Sequence, residues 1–73
     1  MNWHEHILSD SQILRGKPCI KGTRIPVALI LGYLAAGRDA ADLRREFPDL
    51  TPVDVAACLD YARDLAEFEA VPA

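Results

Sequence analysis

Cations in the first third of the chain are its clearest candidates for chemistry. Arg15, Lys17, Lys21 and Arg24 are interleaved with glycines and prolines that constrain the backbone. Guanidinium and ammonium groups bind carboxylates and phosphates, so this stretch predicts contact with an anionic partner. A rigid turn that only orients the following helix is the alternative interpretation.

A second pair of cations, Arg44 and Arg45, follows later in the chain. The pair suits a solvated helix face as well as it suits a binding surface. The candidates for binding a nucleic acid or a protein partner are therefore Arg15, Lys17, Lys21, Arg24, Arg44 and Arg45.

Charge is unevenly distributed along the 73 residues. The net charge is −3, which does not indicate generic binding to nucleic acid. Residues 1–26, which we call the N-terminal arm, carry four cations and two acids, whereas residues 27–73 carry four cations and nine acids. A basic arm on an acidic body suits self-association or two different partners.

No arrangement typical of catalysis or of metal binding stands out. The sequence has no Ser/His/Asp set, glycine-rich phosphate loop or zinc-ligand spacing, and its carboxylates show no sign of convergence. We expect a protein that is not an enzyme, without catalytic residues, cofactor, metal or small-molecule substrate. Trp3-His4-Glu5-His6 contains both histidines, and we interpret it as a frayed end rather than a metal site.

The cysteines and the hydropathy pattern bear on location. Cys19 and Cys58 predict free, buried thiols in a reducing compartment. Residues 1–15 lack the apolar run of a signal peptide, and the longest apolar run, 27–36, is too short to cross a bilayer. The expectation is a cytoplasmic protein without membrane contact.

Local signals predict one mainly α domain over residues 1–73, with a short N-terminal β element. Short strands are expected at 7–8, 18–20 and 23–25, and one helical or 3₁₀ turn at 13–14. A three-helix bundle is expected over 27–68, with helices at 27–36, 40–47 and 52–67. Residues 69–73 are expected to form a short tail.

Residues with capping character mark the ends of these helices. Pro26 and Gly37 bracket the first helix, and Asp39 is a good N-cap for the second. Thr51 begins the third helix, with Asp54 three residues later in the pattern of a capping box.

The helices carry more apolar surface than so small a domain can bury. All residues of 27–36 are apolar or small, and the apolar arc of the third helix exceeds half its circumference. These patterns predict a homodimer formed through the first helix and the β element. The expected interface residues are Ile20, Ile25, Leu29, Ile30, Leu31, Tyr33, Leu34 and Tyr61.

The second and third helices have the outline of a helix-turn-helix. In such a motif, residues at the start of the second of the two helices enter the DNA major groove. Here those residues are Thr51, Val53, Asp54 and Ala57, which include no cation, and an acid facing phosphates lowers affinity. The third helix is therefore a poor recognition helix. A three-helix scaffold that makes no DNA contact through this helix agrees with the sequence at least as well.

The motif Gly-Lys-Pro-Cys-Ile-Lys-Gly-Thr-Arg-Ile-Pro-Val at 16–27 resembles the signature of the bacterial domain-of-unknown-function family 433. Residues 36–37, 47–51 and 56–62 are similar to further positions of that family. The resemblance covers nearly the whole chain. It implies a homeodomain-like trihelical fold that follows a short β-containing N-terminus.

The resemblance also implies a function. Genes of that family often stand beside one for a PIN-like ribonuclease, and its members are regarded as VapB-like antitoxins of type II toxin–antitoxin systems. The leading expectation is therefore an antitoxin that binds a PIN-like toxin and operator DNA. A stand-alone helix-turn-helix transcriptional regulator and a structural or adaptor dimer are the alternatives.

Many antitoxins wrap their toxin with a long tail, whereas only residues 69–73 follow the last predicted helix here. A folded surface would then have to bind the toxin. The expected surfaces are the apolar face of the first helix and a polar stripe on the third helix that consists of Asp60, Arg63, Asp64 and Glu67.

Overall fold

Three helices follow a small N-terminal β element in a computed structural model that describes residues 1–68. The helices are α1 at Val27–Ala35, α2 at Ala40–Glu46 and α3 at Pro52–Phe68. The mainly α fold is as expected, and each helix ends within one residue of its predicted bounds. The predicted tail, 69–73, lies outside the described residues.

The β element is a two-stranded antiparallel pair. In it β1, Ile7–Leu8, pairs with β2, Cys19–Ile20, so that Ile7 faces Ile20. The strand predicted at 23–25 is reduced to a single bridge between Cys19 and Pro26. The N–H of Ile20 donates to the Ile25 carbonyl, but the N–H of Ile25 donates to the Thr23 hydroxyl and not to the Ile20 carbonyl, so Ile25 does not complete a ladder pair. The turn predicted at 13–14 forms one residue later, as a 3₁₀ turn at Leu14–Gly16.

Capping boxes form at the start of α2, where the sequence predicts Asp39 as the N-cap, and at the start of α3, where it predicts a capping box. Asp39 accepts the N–H of Asp42 at 2.9 Å, and Asp42 accepts the N–H of Asp39 at 3.2 Å. Thr51 and Asp54 exchange the same pair of bonds at 3.1 and 3.0 Å. The bond from the Asp39 N–H lowers the pKa of Asp42, and the neighbouring Arg45 adds to that effect.

The end of α1 is fixed by Gly37, which has a φ of 87°. Its N–H donates to the Leu34 carbonyl, and the N–H of Arg38 donates to the Tyr33 carbonyl, each at 3.0 Å. These two bonds define a Schellman motif, in which glycine supplies the left-handed residue without strain. The predicted stop at Gly37 is confirmed.

The core lies where the N-terminal arm meets the three helices. Its buried apolar residues are Ile7, Cys19, Ile20, Val27, Ile30, Leu43, Leu50, Val55, Ala57 and Cys58. Three of these come from the arm, which therefore packs into the folded body. Cys19 and Cys58 are free, buried thiols, as expected.

The uncharged helix α1 exposes mainly small side chains. Its outward residues are Ala28, Leu29, Gly32 and Ala35, and of these Leu29 is 41% exposed. Alanine and glycine expose little apolar area, so the outward face is smaller than its composition suggests. No helix within residues 1–68 combines the length and the apolar character needed to cross a bilayer.

The apolar arc of α3 is only partly covered. Val55, Ala57 and Cys58 lie in the core, whereas Leu59 and Leu65 are 52% and 47% exposed. The elements packed most closely on α3 are α1 and the 3₁₀ turn at Trp3–Glu5. Leu59 and Leu65 therefore remain open to solvent or to a partner.

The first residues are anchored to α3, so the expectation of a frayed end is wrong. The indole Nε1–H of Trp3 donates to Asp64 Oδ2 at 2.6 Å, and its backbone N–H donates to Asp60 Oδ2 at 3.3 Å. The indole meets the Tyr61 ring edge to face, with centroids 4.9 Å apart, and stacks on His4 at 3.7 Å.

Trp3→Phe should weaken this anchor while keeping an aromatic ring in place. The lost hydrogen bond joins a charged but partly solvated carboxylate, so we expect the free energy of unfolding to fall by about 1 kcal/mol. Urea denaturation measures the change. Asp64→Ala should have little further effect in the Trp3→Phe background, and fully additive losses would contradict the bond.

Cys58 is fully buried, and this burial raises its pKa to about 11, with the Asp54 carboxylate adding to the effect. In a Cys19→Ala variant at pH 8, Cys58 should react with a disulfide reagent roughly a hundredfold slower than in urea, because only the thiolate reacts. Rapid labelling without denaturant would show that Cys58 does not face the core.

The raised pKa of Cys58 also predicts how stability depends on pH. The unfolded thiol releases its proton first as the pH rises, so the native state then binds more protons than the unfolded state. This contribution is intact below about pH 8.5 and is lost as the pH approaches 11. Urea denaturation across that range, with Cys58→Ala as the control, measures the difference.

Candidate partner-binding surface

The turn after β2 positions Arg24. Gly22 has a φ of 78°, which allows the chain to reverse. The Thr23 hydroxyl donates to the Ile20 carbonyl at 2.8 Å and accepts the N–H of Ile25 at 3.0 Å. Thr23 therefore ties the turn together, and Arg24 beside it is exposed.

A second constrained turn carries Arg15. Leu14, Arg15 and Gly16 have φ values of 49°, 58° and 83°, so three consecutive residues are left-handed. This conformation costs about 1–2 kcal/mol for each residue other than glycine. The N–H of Gly16 donates to the Ile13 carbonyl at 3.0 Å, and that of Lys17 to the Leu14 carbonyl at 3.2 Å. Such strain persists where the surroundings enforce it, often at functional sites.

All six predicted binding cations are exposed. Ion pairs among residues 1–68 are formed by Arg38, Arg45 and Arg63. Arg45 is the only candidate among these, and it pairs with Asp42 one turn earlier on α2. The candidates without a carboxylate partner in that range are Arg15, Lys17, Lys21, Arg24 and Arg44.

The fold brings Arg24 together with an apolar depression of about 490 Å³. Its lining consists of Leu8, Ile13, Cys19, Ile20, Gly22, Thr23 and Arg24. The sequence analysis missed this feature. Its lining residues come from β1, from β2 and from the segments that follow each strand, and only the pairing of β1 with β2 brings them together.

Lys17 lies at a different depression, of about 360 Å³, between the arm and the helices. The lining there consists of Lys17, Pro18, Pro26, Val27, Ala28, Leu31, Tyr61 and Leu65. Arg24 and Lys17 therefore border two separate concave surfaces. Arg44 and Arg45 line neither of them.

The residues predicted at a dimer interface fall into three groups. Ile20 and Ile30 are 2% and 0% exposed, because β2 and α1 pack together in the core, and they have almost no surface left for a second copy. Leu29 is exposed. The remaining five pack against the core and are partly buried: Ile25, Leu31, Tyr33, Leu34 and Tyr61.

The polar stripe of α3 is largely engaged within the protomer. The Arg63 guanidinium lies 3.0 Å from the Asp60 carboxylate and 3.8 Å from that of Asp64. Both carboxylates also accept hydrogen bonds from Trp3. Glu67 is exposed, and the stripe keeps three acids against one cation, but its two aspartate carboxylates are already bonded within the protomer.

The start of α3 is poorly suited to reading DNA, as the sequence predicts. Ala57 is fully buried, so it has no surface with which to read a base. Thr51 and Asp54 are bonded to each other, and Val53 is 46% exposed. This end of α3 would present an acid and an apolar side chain to DNA, which is unfavourable beside phosphates.

The two histidines have other roles. His4 stacks on Trp3, and its Nδ1 lies 2.9 Å from Asn2 Oδ1. The His6 carbonyl accepts the N–H of Lys21 at 2.9 Å. In the part of the chain that the structure describes, no three His, Cys, Asp or Glu side chains are grouped to hold a metal ion.

The fold and the exposed cations define a small, mainly α domain with a basic N-terminal face. Residues 7–62 match the family described as "Protein of unknown function (DUF433)". The chain therefore belongs to the DUF433 family, as its motif predicts. No curated protein and no solved structure matches it. The match includes both constrained turns, whereas the anchor residues Trp3 and Asp64 lie outside it.

Proposed function

We propose that this protein is the antitoxin of a type II toxin–antitoxin system, a non-enzymatic cytoplasmic module that binds a PIN-like ribonuclease and operator DNA. The observation that supports it best is the set of exposed arm cations without carboxylate partners among residues 1–68. The class of toxin in this proposal, a PIN-like ribonuclease, rests on the resemblance of the motif to its family.

The arm is the better surface for contacting both partners. Its cations gain electrostatic energy from carboxylates of a protein or from phosphates of DNA. Asp60 and Asp64 of α3 are already bonded to Trp3 and Arg63. A basic toxin surface would therefore have to compete with Trp3 and Arg63 for these two carboxylates.

The arm rather than the start of α3 is also the better DNA contact. The first turn of α3 has an acid and no cation, whereas the arm has four exposed cations. A homodimer would present eight such cations, and neutralising phosphates with them makes binding strongly dependent on salt.

The combined change of Lys17, Lys21 and Arg24 to Ala tests the proposal. The proposal requires that a PIN-like ribonuclease is encoded beside the gene, and binding to that ribonuclease should weaken at least about tenfold, because three charged contacts are lost. Calorimetry measures the affinity, and an RNA-cleavage assay measures inhibition. Arg38→Ala, which removes an exposed cation that already pairs with Asp42, should leave both unchanged.

Gel shifts with the protein's own promoter separate the alternatives. An antitoxin should bind the promoter with an affinity that the ribonuclease alters. Tight binding that the ribonuclease leaves unchanged would instead indicate a stand-alone regulator. If the triple variant keeps every interaction of the wild type, a structural or adaptor dimer becomes the better explanation.

We also propose that the protein acts as a homodimer through the outward face of α1. Leu29 is the large apolar side chain there, and Ala28 and Gly32 beside it permit close approach of a second helix. The uncharged surface of α1 is compatible with the symmetric contact of a two-fold dimer.

Leu29→Asp should dissociate this dimer, because it would place two carboxylates in an apolar contact. We expect dimer affinity to fall at least about tenfold, measured by sedimentation at several concentrations. Leu59→Asp, on the exposed face of α3, is the matched control and should leave the dimer intact. A wild-type monomer, or a dimer that tolerates Leu29→Asp, would contradict this interface.

A further inference from the structure

We propose that the depression beside Arg24 binds an apolar side chain that a partner protein presents next to a carboxylate. We call this depression the docking pocket; it is the 490 Å³ depression lined by Leu8, Ile13, Cys19, Ile20 and the turn at 22–24. The inference rests on the proposed function, since it specifies the partner chemistry that one surface of an antitoxin would recognise.

The apolar floor of the docking pocket is preformed. It is supplied by Leu8, which β1 holds opposite Cys19 and which is 42% exposed. Cys19 and Ile20 of β2 also line the pocket, but they are almost fully buried and support the floor rather than offering contact surface. The volume lies within the range of small-ligand sites, roughly 300–1,000 Å³. An apolar side chain that enters would displace water from this surface.

The rim of the docking pocket carries a cation that the protomer does not neutralise. Arg24 is exposed, and no carboxylate of residues 1–68 lies within ion-pair distance of it. The Thr23 hydroxyl is bonded to backbone groups on both sides and so stiffens the turn that carries Arg24. A guanidinium on a fixed base suits bidentate recognition of a carboxylate.

The wall of the docking pocket formed by Ile13 is also held in place. The N–H of Ile13 donates to the Asp10 carbonyl at 2.9 Å, and the Ile13 carbonyl accepts the N–H of Gly16. The strained left-handed residues Leu14 and Arg15 follow directly. This arrangement fixes Ile13 beside the pocket before any partner binds, which lowers the entropy lost on association.

The combination of floor and rim favours a protein partner over nucleic acid. A phosphate backbone would satisfy Arg24 but has no aliphatic group for the floor. A purely apolar segment would fill the floor but leave the guanidinium without a counter-charge. A segment with an aliphatic side chain and a neighbouring carboxylate matches both features.

The inference can be tested with small probes and the intact protein. N-acetyl-leucine carries an aliphatic side chain and a carboxylate, N-acetyl-leucinamide lacks the charge, and N-acetylglycine lacks the side chain. In a ¹⁵N-labelled sample, N-acetyl-leucine should shift the amide signals of Leu8 and residues 22–24 saturably at millimolar concentration. Each of the other two probes should bind at least about fivefold more weakly.

Arg24→Gln should reduce the affinity for N-acetyl-leucine to that for the amide. Arg38→Gln, which removes an exposed cation that pairs with Asp42 and does not line the pocket, is the matched control and should change nothing. Equal binding of acid and amide, shifts confined to other residues, or no saturable shift up to about 20 mM would overturn the inference.

The result of the probe experiment can be distinguished from the result of the experiments that test the proposed function. If the probes bind at the docking pocket but the neighbouring ribonuclease does not bind the protein, the antitoxin proposal fails and the pocket stands. If the ribonuclease binds but the probes do not shift residues 22–24, the partner is held elsewhere on the surface and the pocket assignment is wrong.

Discussion

Packing of the β pair against α1 and α3 is the constraint on which the rest of the structure depends. Ile7 and Ile20 face each other across the pair and share one core cluster with Ile30 and Cys58. A domain of this size has little core to spare, so the contribution of the arm is needed to bury the inner faces of the helices. The same packing holds the two turns that carry the exposed cations.

Some residues of the motif at 16–27 shape the backbone, and others lie exposed on the surface. Gly22 and Thr23 shape and tie the turn, and Pro26 ends the pairing with β2 just before α1 begins. Lys17 and Arg24, by contrast, are exposed. The rigid-turn and binding interpretations of this motif are therefore compatible, because the ordered backbone fixes where its cations stand.

The sequence was sufficient to predict those features of the fold that residues close together in the chain determine. The capping boxes at Asp39 and Thr51 and the stop at Gly37 involve residues within a few positions of each other, so the helix bounds could be predicted. The contact of Trp3 with Asp64 joins residues that are 61 positions apart. The docking pocket likewise depends on strand pairing, and no single stretch of sequence encodes it.

The anchoring of Trp3 bears on where a partner would bind. Because Trp3 and Arg63 engage the carboxylates of Asp60 and Asp64, a partner would have to compete with them for these two acids of α3. The arm retains exposed cations whose charge no acid of residues 1–68 balances by direct pairing. Electrostatic complementarity steers encounter and fixes orientation. An anionic partner would therefore be drawn to the arm, where the apolar floor beside Arg24 adds short-range selectivity that charge alone does not supply.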